Sequence, residues 1–302
     1  MGAKARGLYW LAANGFPIPP TWVLSVSAFD LILSRTGLDR DVAEMRWNLA
    51  GLWNDWGAVQ RVVAALEPQR VRVARVMRQV PLPDILGQEL ERVALMERLW
   101  AVRASPALSD GDGMFEGGQS LTHELLSLLS VPSGVDLWDA VRQVWASTFR
   151  REVLLRCAQQ EVSLPGMAVV LHPTRPILPE DRSGEAFSVP PQPGLAGPVV
   201  QAVFGALQDV RGHIYGGACG RWVPLPRYSD PPRRALVSAG SEGGLALRPL
   251  PGEGLPLDGE EARRLADLVQ AVARKWGGPV QISFFWPTGG ELAVTQVVGM
   301  GR

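Results

Sequence analysis

Lys4 and Lys275 are the only lysines in a chain whose other 28 basic residues are arginines. Arginine replaces lysine wherever only a positive charge is wanted, so a retained lysine points to a specific task. A compact ammonium on a flexible stem suits the oxygens of a triphosphate. The alternative for Lys4 is an ordinary exposed lysine near the terminus. Arg103 closes an apolar run and precedes residues 104–118, which are rich in Ser, Asp and Gly. A guanidinium fork placed there can grip phosphate oxygens two at a time; the alternative is a structural ion pair. The three histidines are His123, His172 and His213. None has a neighbouring second ligand that would suggest a metal. Cys157 and Cys219 form no CxxC pair and read as buried free thiols of a reducing cytoplasm.

These groups need elements to position them. Ala3–Asn14 has helical apolar spacing and is stopped by Asn14-Gly15. Phe16–Pro20 is a proline-bound extended connector, and residues 21–25 form a short β-type run. Ser27 caps a helix that Gly37 closes. Residues 39–100 read as mostly helical, from patterns such as Val42/Met45/Leu49/Leu52. Residues 99–103 read as a strand, 121–129 as helix, and 137–160 as one long amphipathic helix. Residues 167–171 read as a buried strand. The proline-rich stretch 172–198 reads as a hairpin or connector outside the core. A β-type pattern resumes at 198–205. Residues 260–275 form an amphipathic helix, and 280–285 with 291–298 form strands around Pro287–Gly290.

Composition narrows the class. The 302 residues carry 30 basic and 30 acidic side chains, with 46% hydrophobic and 20% charged residues. That is the profile of an ordinary globular protein. Zero net charge argues against a generally basic nucleic-acid binder. The longest apolar runs are far shorter than a membrane span of about 20 residues. The expected setting is therefore cytoplasmic, with no membrane partner.

Four segments in order carry a resemblance. Gly2-Ala3-Lys4-Ala5, followed by residues 13–23 (ANGFPIPPTWV), resembles a glycine-lysine turn and G-[FL]-P-V-P-P-G-[FW]-V. Residues 101–105 (AVRAS), with Phe115 and residues 118–122 (GQSLT), resemble A-V-R-S-S…F-A-G-Q-x-x-T. Residues 167–171 (MAVVL) and 183–189 (SGEAFSV) resemble M-A-V-V-V-Q…S-G-V-A-F-T-V-D-P. Residues 278–283 and 292–296 resemble G-x-P-Q-D-I-E-W…L-Y-I-L-Q-x-R-P. Together they resemble the nucleotide-binding domain of the phosphoenolpyruvate synthase and pyruvate phosphate dikinase family.

The resemblance implies an α/β (α+β), ATP-grasp-like fold of two lobes. The lobes would be residues 1–180, with a helical insertion, and residues 181–302. It implies ATP as cofactor and phosphoryl transfer to a histidine on a separate domain, supplied by a partner chain. It assigns catalytic roles to Lys4 and Arg103. Nucleotide contacts would come from Lys4, Arg103, Gln119, Thr122, His172 and Gln296. Gln119 and Thr122 match only with one extra residue, since Gly117-Gly118 stands where one glycine is usual. His172 replaces a glutamine that reads adenine, and a structural histidine is the alternative. A phosphohistidine at His123 is disfavoured, because the matching position is an ordinary helix residue.

The pattern also breaks. The family's metal-binding glutamate is Ser283, and Gln281 replaces a nearby aspartate. Other family carboxylates are replaced by Gln201, Gln208 and Pro190, and the closing arginine by Val298. Mg²⁺ wants carboxylate oxygens, so the chain is expected to have no family-type metal site. Glu185 and Glu291 are the candidate substitutes. Two readings remain: an ATP-dependent phosphotransfer domain, or an inactive relative serving as a regulator or scaffold. A third, a tryptophan-rich interaction surface, is opposed by the spacing of Trp138 and Trp145 on one apolar helix face.

Overall fold

A computed structural model describes residues 1–49, 55–107, 121, 124–191, 195–206, 213–218, 221–225, 234–239, 243–250 and 254–300. The chain divides into two compact units. The first holds Met1–Arg6 with the described residues of Thr21–Gly113 and Gln119–Thr174. The second holds Gly7–Pro20 with the described residues of Arg175–Arg302. Among the described residues, no helix is long and apolar enough to cross a membrane.

The first unit is built on a sheet of four antiparallel strands: β1 (Trp22–Leu24), β2 (Leu99–Ala107), β3 (Ser127–Pro132) and β4 (Gly166–Thr174), in the order β1-β4-β2-β3. Strand β2 runs four residues past the expected end at Arg103. Its pairing with β4 continues through Pro106 opposite Met167, and that ladder overrides the loop-like composition. The segment read as helix over 121–129 ends in β3 instead. A short apolar run has no length or period to separate the two, and pairing with β2 decides it.

Helices cover one face of this sheet. Helix α2 (Val26–Arg35) starts at Ser25 rather than Ser27 and is followed by Gly37 at φ +66°. Helix α7 (Val135–Ser147) lies against β2 and β3. Trp145 of α7 donates its indole N–H to the Met167 carbonyl at 3.1 Å. Its ring meets Trp138 edge-on at 5.5 Å, and both are buried. These tryptophans are therefore core, as their spacing suggests. The helix expected over 137–160 is two helices, because the chain turns at Thr148–Arg150 before α8 (Arg151–Gln159). Helices α3 (Asp39–Leu49), α4 (Trp56–Ala65), α5 (Glu67–Gln79) and α6 (Asp84–Ala94) fill the region read as helical.

The second unit is built on a sheet in the order β12-β11-β5-β6-β7-β8. Its strands are β5 (Arg182–Phe187), β6 (Val199–Phe204), β7 (His213–Ala218), β8 (Arg221–Pro224), β11 (Val280–Trp286) and β12 (Ala293–Gly299). Strands β9 (Arg234–Ser238) and β10 (Leu245–Pro249) pair separately. The proline-rich stretch 172–198 thus contributes a central strand, β5, correcting its reading as a connector. Pro176, Pro179 and Pro190 lie outside that strand, where they cost no ladder hydrogen bond. Helix α9 (Gly259–Trp276) carries a capping box between Asp258 and Glu261 and ends at Gly277 with φ +83°. It covers the face that presents Val280, Ile282, Phe284 and Trp286, all buried. Gly184 is needed on that face: a Cβ there would sit 2.0 Å from the Gln201 carbonyl oxygen and 2.8 Å from the Phe284 ring.

Candidate functional site

Helix α1 (Ala3–Ala13) opens against the end of β2. Gly2 makes that approach feasible, since a Cβ there would lie 1.8 Å from the Ser105 carbonyl oxygen. The Ser105 hydroxyl oxygen accepts the Ala5 amide at 3.1 Å. It satisfies one of the amides that every helix start leaves unpaired. The first turn of α1 holds no acidic residue, so nothing there answers the positive end of the helix dipole.

Lys4 stands in that turn. It is 5% exposed, which removes the reading of an ordinary surface lysine. Among the described residues no carboxylate pairs with it. Burial, and then the Arg103 guanidinium, hold its ammonium well below the usual lysine range. Arg103 is half-buried on β2, and desolvation lowers its own pKa to about 10. Two cations therefore share a poorly solvated environment at a helix N-terminus. For Lys4, a buried charge without a carboxylate partner among the described residues is costly, and bound anionic oxygens would offset that cost. The geometry suits a phosphate group.

His172 shares this face of the sheet. Ala101, Arg103 and Ser105 of β2 pair with His172, Val170 and Ala168 of β4, and paired residues point the same way. The His172 ring is buried, and its Nδ1 lies 3.2 Å from the Thr21 hydroxyl. Lys4, Arg103 and His172 are thus all parts of the first unit. Gln119, Thr122 and His123 lie outside the described residues, as do Phe115, Gln208 and Cys219. Ser105 was visible only as part of a motif. Its capping role depends on a partner 100 residues away, which no local pattern reveals.

Gln296 lies in the second unit, in a row that crosses the sheet. It pairs with Ser283, Ser283 with Glu185, and Glu185 with Gln201. The four side chains lie on the face opposite α9, and all are partly exposed. Gln281, two residues from Ser283 on the same face, donates its amide to Glu185 Oε1 at 2.6 Å. Gln201, Gln281 and Ser283, where the resemblance leads one to expect carboxylates, therefore gather on one surface. Glu291 is exposed near the Pro287–Gly290 turn and takes no place in the row. A cleft beside the first turn of α9, lined by Trp222, Asp258, Glu260, Glu261, Arg263, Arg264, Asp267 and Trp286 among others, opens on the other face.

The model of a family described as "Pyruvate phosphate dikinase, AMP/ATP-binding domain" matches residues 1–298. A curated relative, the probable phosphoenolpyruvate synthase of Methanothermobacter thermautotrophicus, is 25% identical over 220 residues. The alignment takes in 69% of this chain and 30% of the relative, so the chain spans under a third of the relative's length. Among solved structures, the D-alanine-D-alanine ligase from Coxiella burnetii matches 99% of this chain and 48% of its own, at 11% identity and a TM-score of 0.34. The ADP complex of PurK, N5-carboxyaminoimidazole ribonucleotide synthetase, matches 83% and 58%, at 10% identity and a TM-score of 0.32.

Proposed function

The chain belongs to the pyruvate phosphate dikinase AMP/ATP-binding domain family, and from that premise we propose that it binds ATP through Lys4 and Arg103 as the nucleotide-handling part of a phosphoryl-transfer system. The observation that carries this reading is the buried Lys4 ammonium, beside Arg103 and without a carboxylate partner among the described residues. Protein interiors tolerate such a group where a ligand supplies the missing charge.

Lys4 would meet terminal phosphate oxygens as a compact point charge, and Arg103 would hold two oxygens with its fork. The amides at the start of α1 would add neutral donors. His172, held by Thr21, would set one edge of the adenine site. Gln296 would contribute a hydrogen-bonding amide. Phosphoryl transfer depends mainly on positioning and charge stabilisation, which these groups can supply. The acceptor would be a histidine of another domain, by resemblance to the family. The buried Cys157 thiol suits a reducing, cytoplasmic setting.

Calorimetric titration with ATP, ADP and AMP tests this reading. ATP should bind most tightly, and both Lys4→Met and Arg103→Met should lose most of that affinity. Failure of all three nucleotides to bind the intact protein would overturn it.

A further inference from the structure

The family's chemistry implies a divalent cation beside the nucleotide, so the donor set of this chain can be tested against one. Mg²⁺ demands close octahedral oxygen coordination, usually from one or two carboxylates together with phosphates and water. The position that resemblance assigns to the metal is Ser283. Its row across the sheet runs Gln296, Ser283, Glu185, Gln201, so it holds two amides, one hydroxyl and a single carboxylate. One oxygen of that carboxylate already accepts the Gln281 amide at 2.6 Å. A cation at Glu185 would have to displace this bond or share its oxygen with a hydrogen-bond donor.

The amide groups are mismatched in a second way. A glutamine offers two N–H donors for each oxygen acceptor. Three glutamines and a serine around one carboxylate make a surface that donates to anionic or hydroxyl oxygens at least as readily as it accepts. Among the described residues, no group of three His, Cys, Asp or Glu side chains converges to hold a metal. The row does not fit Mg²⁺. The first unit offers a cation instead: Lys4 is buried in the first turn of α1 and has no carboxylate partner among the described residues.

We infer that this chain binds its nucleotide without a divalent cation on the Ser283 row. This rests on the nucleotide-binding reading above. It separates this chain from a metal-dependent phosphotransferase by one property, the cation requirement, that can be measured directly.

The test is calorimetric titration of the intact protein with ATP in EDTA, and again in excess MgCl₂. The expected result is binding in EDTA, with affinity changed by less than about threefold, or weakened, when Mg²⁺ masks phosphate charge. Tightening by about tenfold or more with MgCl₂ would overturn the inference while leaving nucleotide binding intact. Binding in neither condition would overturn the nucleotide reading itself, and the inference with it. Mn²⁺ titration followed by electron paramagnetic resonance gives a readout independent of affinity. No ATP-dependent loss of the free Mn²⁺ signal beyond that of ATP alone is expected, whereas a protein-dependent loss would overturn the inference.

Discussion

The Ser105 hydroxyl accepts the Ala5 amide at 3.1 Å across 100 residues of sequence, tying the first turn of α1 to the strand that carries Arg103. The two cations are thereby held by one short connection. Ser105→Ala should cost about 1 kcal/mol of stability, the usual price of a lost helix cap. Gly2→Ala should cost more, because its Cβ meets backbone rather than a flexible side chain. Urea denaturation of both variants checks the order, and a Gly2→Ala protein as stable as wild type would remove the close approach from the argument.

Lys4→Met should separate stability from binding. The substitution replaces a buried ammonium, which has no carboxylate partner among the described residues, with an apolar side chain of similar length. The ligand-free protein should gain about 1–2 kcal/mol, while ATP no longer raises its melting temperature. A variant that loses stability and keeps ATP binding would show that Lys4 is a structural residue.

The pH dependence follows from the direction of the Lys4 shift. Its proton affinity is lower in the folded chain than in the unfolded one. Between the two values the unfolded state holds the extra proton, so stability rises with pH through that window. Below the window both states are protonated and the burial cost is fully present. As the pH rises toward the value of an unfolded lysine, wild type should therefore close part of its deficit to Lys4→Met. Bound phosphate favours the ammonium, so ATP affinity should fall over the same range. Denaturation midpoints of the two proteins at each pH decide this; a constant gap would contradict it.

Asp181 is fully buried and accepts the Leu178 and Thr288 amides at 2.8 and 2.9 Å, as well as the Arg175 guanidinium. It fastens the start of the second unit to the Pro287–Gly290 turn. Asp181→Ala should cost about 2–4 kcal/mol by stranding those donors. Arg175→Met should cost under about 1 kcal/mol, because Arg175 is more than one-third exposed and solvent screens the pair. Urea midpoints that rank the two variants the other way would refute this assignment.

Much of the candidate site was legible because strong local signals mark its residues. The Pro-Ile-Pro-Pro connector, the residues leading into Arg103, and the lone lysine near the start all stand out against an arginine-rich background. Helix α9 announces itself through its apolar period and its cap at Asp258. What stayed hidden depends on partners distant in sequence. Ser127–Pro132 becomes a strand because β2 needs an edge, and Arg182–Phe187 becomes one between flanking prolines because β6 and β11 pair with it. The row of Gln296, Ser283, Glu185 and Gln201 exists only once four strands have found their register. Its members could be named singly, but not as one surface.

The pairing of distant strands also dictates an order of assembly. Thr21 meets His172 across 151 residues, and Trp22 pairs with Leu171, so the first sheet cannot close while a ribosome is still short of Thr174. Trp10 waits longer: its ring packs edge-on against Trp276 at 4.6 Å, and the Pro17 carbonyl accepts the Val294 amide. Trp10 and Pro17 are thus secured only after α9 and β12 have been made. Helix α9 and the β11–β12 hairpin take their own backbone hydrogen bonds from residues close in sequence and can form within moments of emergence. A nascent chain stalled short of Thr174 would carry a β2 without its β4 partner, and one stalled short of Trp276 an undocked Trp10, and both states are exposed to chaperones and to aggregation.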